Sequence, residues 1–391
     1  MSHAAPGWRW AARLIAVVSV GALLVNLWTS EGTSRIDFYV YAEAISASGS
    51  MSLYDFQYRI LGLPFLYPPF AAIVLWPLSA MTNSTGESLW WCVTAACSVW
   101  FLAVVGWSIA PVAARRWPRS PFADPEVAVL SCVAAGVWTM PVLLNGRLGQ
   151  VNALVAALIV TDLVLLRRRS ALAGVGTGLA AAIKVTPALL IPYLFLAGRR
   201  RASAVAATSF VVATGIAAVV YPSDTWRFFR SELWSTRRAP DVDTFFNNTI
   251  RRVAAGLPND RLELLVWALV SLLVLVVAFR RAVRADRAGN VLAAFTLVML
   301  ASYLVSPLTW GHHLFFLIPA VLWWLVTADA WWRWALGAVA VVALVDPMGL
   351  GETSSMSLVR IAVMAVMVFA LPTELAEPQS VEAVAAAVPA P

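Results

Sequence analysis

Charge is scarce in this 391-residue chain. Only 13% of its residues are charged, while 61% are hydrophobic and the mean hydropathy is +0.77. A soluble domain rarely passes half apolar, so this shortage excludes one and points to an all-α polytopic membrane protein. Lysine is almost missing: Lys184 stands alone among 28 lysines and arginines. Histidine is nearly as rare, with only His3, His312 and His313. The three cysteines, Cys92, Cys97 and Cys132, fall in apolar stretches and have neither disulfide nor metal spacing. No Walker loop, dinucleotide fingerprint, zinc spacing or nucleophile elbow is present, which argues against ATP-driven transport. The formal charge of +7 lies in arginine clusters between apolar segments. That is the pattern of orientation signals, not of a nucleic-acid binder.

Apolar runs are what the chain has in abundance. A helix needs about 20 apolar residues to cross the hydrocarbon core, since lipid offers its backbone no hydrogen bonds. Suitable runs cover 10–30, 88–110, 127–144, 148–166, 202–221, 261–279, 291–305, 312–328, 331–346 and 357–372. The run near the N-terminus lacks a small-residue cleavage site and is expected to remain as the first span. Two stretches, 64–81 and 170–198, are interrupted by proline. Arg115/Arg116/Arg119, Arg167–Arg169, Arg199–Arg201 and Arg280/Arg281/Arg284/Arg287 form compact basic clusters, all placed in the cytoplasm by the positive-inside rule. That placement makes 170–198 a hairpin of two short helices with Lys184-Val185-Thr186-Pro187 at its tip. It makes 64–81 a re-entrant piece that starts and finishes outside. About twelve transmembrane helices plus the re-entrant segment result, with both termini cytoplasmic. The arginine-rich loop 222–260 then lies outside, against the trend. Residues 1–372 read as one multi-span domain. The tail 373–391, rich in alanine, proline and glutamate, reads as disordered.

This topology collects the candidate chemistry on the external side. Lys184 lies in an apolar stretch, where a cation costs about 2.5–3.5 kcal/mol at a helix centre, so it is expected to hold an anionic phosphate. A lysine that snorkels to the interface is the plainer reading. Gly174, Gly176 and Gly178 before it allow close helix packing. His312 and His313 follow Ser306-Pro307-Leu308-Thr309-Trp310-Gly311, and an interfacial histidine can serve as base, proton shuttle or phosphate donor. Adjacent helical residues diverge by about 100°, so only one of the pair is expected to face a site. Asp37, in Ile36-Asp37-Phe38-Tyr39-Val40-Tyr41, has an aromatic surround that would desolvate it and raise its basicity, though it could be a solvated loop acid. Gln150 and Asn152 suit sugar hydroxyls or the capping of the helix that follows. Asn247, Asn248 and Arg251 suit a sugar or phosphate, or the folding of their loop. Asn83-Ser84-Thr85 and Asn247-Asn248-Thr249 fit the glycosylation sequon, a pattern frequent by chance.

Six segments, taken in order, resemble the polyprenol-phosphate-mannose-dependent α-(1→2)-mannosyltransferases of mycobacteria and their relatives, glycosyltransferase family 87. They are Ile36–Tyr41, Leu63-Pro64-Phe65-Leu66-Tyr67-Pro68-Pro69-Phe70, Gly149-Gln150-Val151-Asn152, Lys184-Val185-Thr186-Pro187-Ala188, Phe246-Asn247-Asn248-Thr249 and Ser306–His313. The resemblance implies the GT-C membrane fold and a bacterial plasma-membrane enzyme with its site facing the periplasm. It implies a mannosyl donor on a polyprenyl phosphate and a glycolipid acceptor, most directly a phosphatidylinositol mannoside. Branching of lipomannan or lipoarabinomannan is the alternative within the family, and a secondary transporter or lipid flippase the alternative outside it. Asp37 falls on the family's acid, the candidate general base, and His312 or His313 on its histidine. Lys184 falls on its lysine-proline hairpin and, with Arg251, would hold the donor phosphate. Tyr41, Tyr67, Gln150, Asn152, Asn247 and Asn248 would contact substrate. No cofactor or metal is required by that scheme. Relatives tend to carry Asn-Gln-Ser at 247–249, Thr at 66 and Tyr at 148, positions where acceptor contacts would vary.

Overall fold

A computed structural model describes residues 6–29, 35–60, 62–80, 84–235, 246–346 and 354–374. The Asn83 sequon, the centre of the 222–260 loop and the tail from 375 lie outside the described residues. Helices dominate the rest. The chain opens with α1 (Pro6–Thr29) and a short α2 (Ile36–Ala47). A two-stranded antiparallel hairpin, β1 (Gln57–Tyr58) and β2 (Leu63–Pro64), leads into α3 (Pro69–Ser79), with a proline at its first position. Then come α4 (Ser84–Arg116), α5 (Pro125–Gly136), α6 (Met140–Leu148), α7 (Asn152–Arg167), α8 (Val175–Ile183) and α9 (Leu190–Leu196). The second half holds α10 (Arg200–Val220), α11 (Pro222–Arg230), α12 (Ile250–Ala254), α13 (Asp260–Arg287), α14 (Val291–Val305), α15 (Leu317–Val326), α16 (Trp331–Val345) and α17 (Ser354–Ala370).

Four of the described helices, α1, α4, α10 and α13, are long and apolar enough to cross a membrane by themselves. The expected single span 127–144 is instead a bent pair, α5 and α6, meeting at 56°. Apolar patterning carries no information about such a bend; the break falls at Val137–Thr139, just before Pro141. Counted as one span, the pair makes five, so the expected twelve crossings are not reached on length and composition. The remaining apolar helices are short. This is a predominantly helical, multi-pass membrane protein.

The core is α14, buried from Val291 to Leu304. A helix apolar all round has no face to give to water, so it is surrounded by others. By contrast α13 turns most of its apolar side chains outward, with Leu265, Leu269 and Leu273 exposed. The segment 170–198 is the hairpin expected from its arginine brackets. Both Gly174, at its start, and Ile191, in α9, meet the first turn of α10, at Ala202 and Ser203. The chain therefore runs out along α8, turns at Lys184-Val185-Thr186 and comes back. A Cβ on Gly174, Gly176 or Gly178 would lie 2.1–2.3 Å from a backbone oxygen of α7 or α10, so these glycines serve close packing. Asp162 of α7, fully buried, accepts hydrogen bonds from the N–H groups of Gly174, Gly176 and Thr177 at 2.9, 3.3 and 2.6 Å. That carboxylate satisfies the first-turn donors of α8 and fixes the hairpin to α7.

Candidate active site

The turn between α6 and α7 is the hub. α6 ends on Gly149 at φ +73°, where a Cβ would come within 2.8 Å of Phe38 Cβ, so α2 packs directly on this glycine. Trp90 of α4 donates its indole N–H to the Gly149 carbonyl at 2.8 Å. The start of α2 is clamped from the same side. Arg35 pairs with buried Glu87 at 2.9 Å and lies over the Trp91 ring, its N–H donates to the Arg147 carbonyl at 2.6 Å, and Tyr39 donates to Glu87. These contacts hold the first turn of α2, and with it Asp37, against the turn at 149–151.

Gln150 follows, and its Oε1 collects the donors. Tyr41 and Tyr67 donate to it at 2.9 and 2.8 Å, and Asn152 Nδ2 lies 3.3 Å away. With that oxygen occupied, the amide nitrogen remains for the Asp37 carboxylate. Asn152 Oδ1 in turn accepts from Lys184 Nζ at 2.6 Å, and Lys184 lies 5.6 Å from the centre of the Tyr67 ring. One network therefore links the acid to the lone lysine, with contributions from α2, the segment before α3, the α6–α7 turn and the α8–α9 hairpin. It opens on a cavity of about 240 Å³ lined by Asp37, Tyr41, Tyr67, Gln150, Lys184 and His313, among others.

Asp37 and Lys184 lie outside the spanning helices, at the cavity wall. Burial pushes the Asp37 carboxyl up to about 7, against the Gln150 hydrogen bond and the Lys184 charge, which lower it. Burial likewise pushes Lys184 down to about 7, opposed by Asp37. The two histidines sit on a tight turn, Gly311–His313, rather than on a regular helix. Their rings are 4.5 Å apart and nearly perpendicular. His313 lines the cavity; His312 is buried behind it, with Nε2 lacking a partner among the described residues. His313 Nδ1 accepts the Trp310 backbone N–H at 3.2 Å. Burial and the nearby Lys184 charge hold His313 well below the usual range. A neutral imidazole that accepts at Nδ1 carries its proton on Nε2, so this histidine can donate a hydrogen bond.

Asn152 joins the network without lining this cavity, and three other expected contacts lie elsewhere. Asn247 is fully buried; its amide donates to the Pro307 carbonyl at 3.1 Å and accepts from the Thr309 N–H at 3.0 Å. Asn248 binds the Thr309 carbonyl through both its backbone N–H, at 2.7 Å, and its side chain, at 3.0 Å. Neither lines the cavity: both hold in place the segment that leads to Trp310 and His313. A buried Asn247 is also no surface glycan acceptor. Arg251 pairs with Glu263 at 3.3 Å and stacks over Trp267, away from the cavity. Its charge is already answered inside the protein. Several cavity residues were not foreseen, among them Trp310 and Glu232. Trp310 stands beside His313 with its ring stacked on the imidazole. Glu232 reaches the cavity from the turn after α11, held by Arg227 at 2.7 Å. Trp310 belongs to a segment already singled out, whereas nothing near Glu232 in the sequence distinguishes it.

Fold and cavity together define a multi-pass helical membrane protein with an acid, a cation and a neutral imidazole around one pocket. The family model for glycosyltransferase family 87 matches residues 65–307, and the chain belongs to that family. It is 30% identical over 295 residues to the polyprenol-phosphate-mannose-dependent alpha-(1-2)-phosphatidylinositol mannoside mannosyltransferase of Mycobacterium tuberculosis, covering 73% of this chain and 66% of that protein. It is also 30% identical over 325 residues to the corresponding phosphatidylinositol pentamannoside mannosyltransferases of Mycobacterium tuberculosis and Mycolicibacterium smegmatis. Those matches cover 80% of this chain and 72% and 75% of the relatives. The chain thus spans about two thirds to three quarters of the length of these relatives. No solved structure matches it.

Proposed function

We propose that this protein transfers mannose from a polyprenyl-phosphate donor to a phosphatidylinositol mannoside, with inversion at the anomeric carbon, on the periplasmic side of the plasma membrane. The observation that carries the reading is the meeting of Asp37, Lys184 and His313 at one cavity, from three distant parts of the chain. The names of the relatives supply the donor and the acceptor class. An acceptor hydroxyl attacks the sugar's anomeric carbon and forms the new C–O bond as the bond to the phosphate oxygen breaks. Asp37 takes the hydroxyl proton. The departing polyprenyl phosphate keeps the electron pair of the broken bond, and its growing charge is held by Lys184 and the His313 Nε2–H. Gln150, Tyr41 and Tyr67 keep the carboxylate in line, and Glu232 and Trp310 offer an acceptor and a ring face to sugar.

On this reading residues 1–372 form one catalytic membrane domain of the GT-C type, and the tail takes no part in transfer. A paired arrangement of polar groups about the midplane, as a secondary transporter needs, has no counterpart in a cavity gathered at one end of α14. The test is direct. Purified protein is incubated with polyprenyl-phosphate mannose and a panel of phosphatidylinositol mannosides and lipomannan primers, and products are read by mass spectrometry. One added hexose on a phosphatidylinositol mannoside is expected. Addition to lipomannan alone would move the acceptor to the branching reaction, and no product with any acceptor would end the mannosyltransferase reading.

A further inference from the structure

A second polar hollow lies at the other end of the molecule. The catalytic cavity sits where α14 ends, at Ser306–His313. This hollow sits where α14 begins, one helix length or about 22 Å away, at the last turns of α13 and the end of α9. It has a volume of about 620 Å³; its floor is Leu196, Phe279 and Val283, and Arg280, Arg284 and Arg287 line it. The arginines are spaced four and three residues apart, so they share one face of α13. That helix of 28 residues is about 42 Å long, while the hydrocarbon core is about 30 Å thick, so its last turns reach the headgroup level.

Arginines at a membrane edge often do no more than set orientation. The contrast with their neighbours argues for more here. Arg199 is held by Asp286 at 2.6 Å, and Arg281 donates to the Leu371 carbonyl. Among the described residues, Arg280, Arg284 and Arg287 have no ion pair, although all three surround one hollow with an apolar floor. Glu374, the acid at the rim, makes no ion pair with them either. Three exposed guanidiniums at the C-terminal end of a helix, over an apolar floor, match an amphiphile with an anionic head.

We infer that this hollow is a binding site for an anionic phospholipid of the leaflet opposite the catalytic cavity, its phosphate held by Arg280, Arg284 and Arg287 and its acyl chains lying on Leu196, Phe279 and Val283. The site is separate from the transfer chemistry and does not depend on it. The test is native mass spectrometry of the full chain with phosphatidylglycerol and, separately, phosphatidylcholine. The Arg280→Gln/Arg284→Gln/Arg287→Gln variant should retain phosphatidylglycerol at least tenfold more weakly than the unmodified protein, with phosphatidylcholine retention unchanged. A charge-matched control, Arg115→Gln/Arg119→Gln/Arg168→Gln, should bind phosphatidylglycerol normally, and millimolar inorganic phosphate should not displace it. Equal retention by the triple variant, or equal loss in the control, would overturn the site. Displacement by phosphate alone would reduce it to an anion site without lipid. Deletion of residues 375–391 should leave binding unchanged; lipid binding that appears only after the deletion would make the acidic tail the occupant instead.

Discussion

At the scale of the residue, the proposed transfer depends on two groups whose charges support each other. Asp37 must be ionised to accept a proton, and burial pushes it up to about 7, so its contribution grows as pH rises through that value. Lys184 must be protonated to hold the phosphate, and burial pushes it down to about 7, so its contribution fades as pH rises further. The pH profile of kcat/KM should therefore be a bell with both limbs near neutrality. Lys184→Arg should remove the alkaline limb, because a guanidinium stays charged, while lowering the rate through its different shape. A flat profile in the unmodified protein would contradict the paired assignment. The histidines separate in the same assay. Loss of the His313 donor in His313→Ala should cost about a hundredfold in kcat. His312→Leu, behind it, should keep kcat within about threefold and act on stability instead. Equal losses in kcat would mean that the ring facing the cavity is not the one that matters. Lys184 was legible in the sequence because a lone cation in apolar surroundings needs a reason to be there. Glu232 was not, since only the fold brings the turn after α11 to the cavity.

At the scale of the element, the site depends on tight turns. Gly149 ends α6 in a left-handed conformation with Phe38 against its α-carbon. Gly149→Ala should destabilise the protein by about 1–3 kcal/mol and push α2 outward. The test is whether kcat falls while the thermal midpoint shifts by only a few degrees, the outcome expected if Asp37 loses its position. An unchanged kcat would show that the α2 contact does not set the base. Arginine brackets made the α8–α9 hairpin readable in advance, including its tip at Lys184. Hydropathy did not register the break between α5 and α6, because both halves are apolar; Pro141 was the sequence signal for it, and the expected span 127–144 ran through that proline. The 222–260 loop stood out against the positive-inside trend. The structure ties Arg227 to Asp55 and Glu232 and ties Arg251 to Glu263, which neutralises part of that exception. The loss of Asn247, Asn248 and Arg251 from the candidate contacts has the same origin. Polar residues between spans look alike in sequence, whether they face a substrate or the backbone of a neighbouring loop.

At the scale of the molecule, a central buried helix carries the proposed catalytic cavity at one end and an arginine-lined hollow at the other. In the proposed transfer, the first is where a lipid-borne sugar and a polar hydroxyl meet. The apolar composition and arginine spacing made the membrane class legible, and six ordered segments made the family so. The number of crossings was not, because short helices, a bent pair and a hairpin share the composition of spans without their length. The central claim is that Asp37 is the base for transfer at this cavity. Its most direct test compares Asp37→Asn with the unmodified protein, measuring hexose transfer from polyprenyl-phosphate mannose and donor binding side by side. A loss of about 10²–10⁴-fold in kcat with donor affinity retained is expected; full transfer by Asp37→Asn would rule out Asp37 as the base.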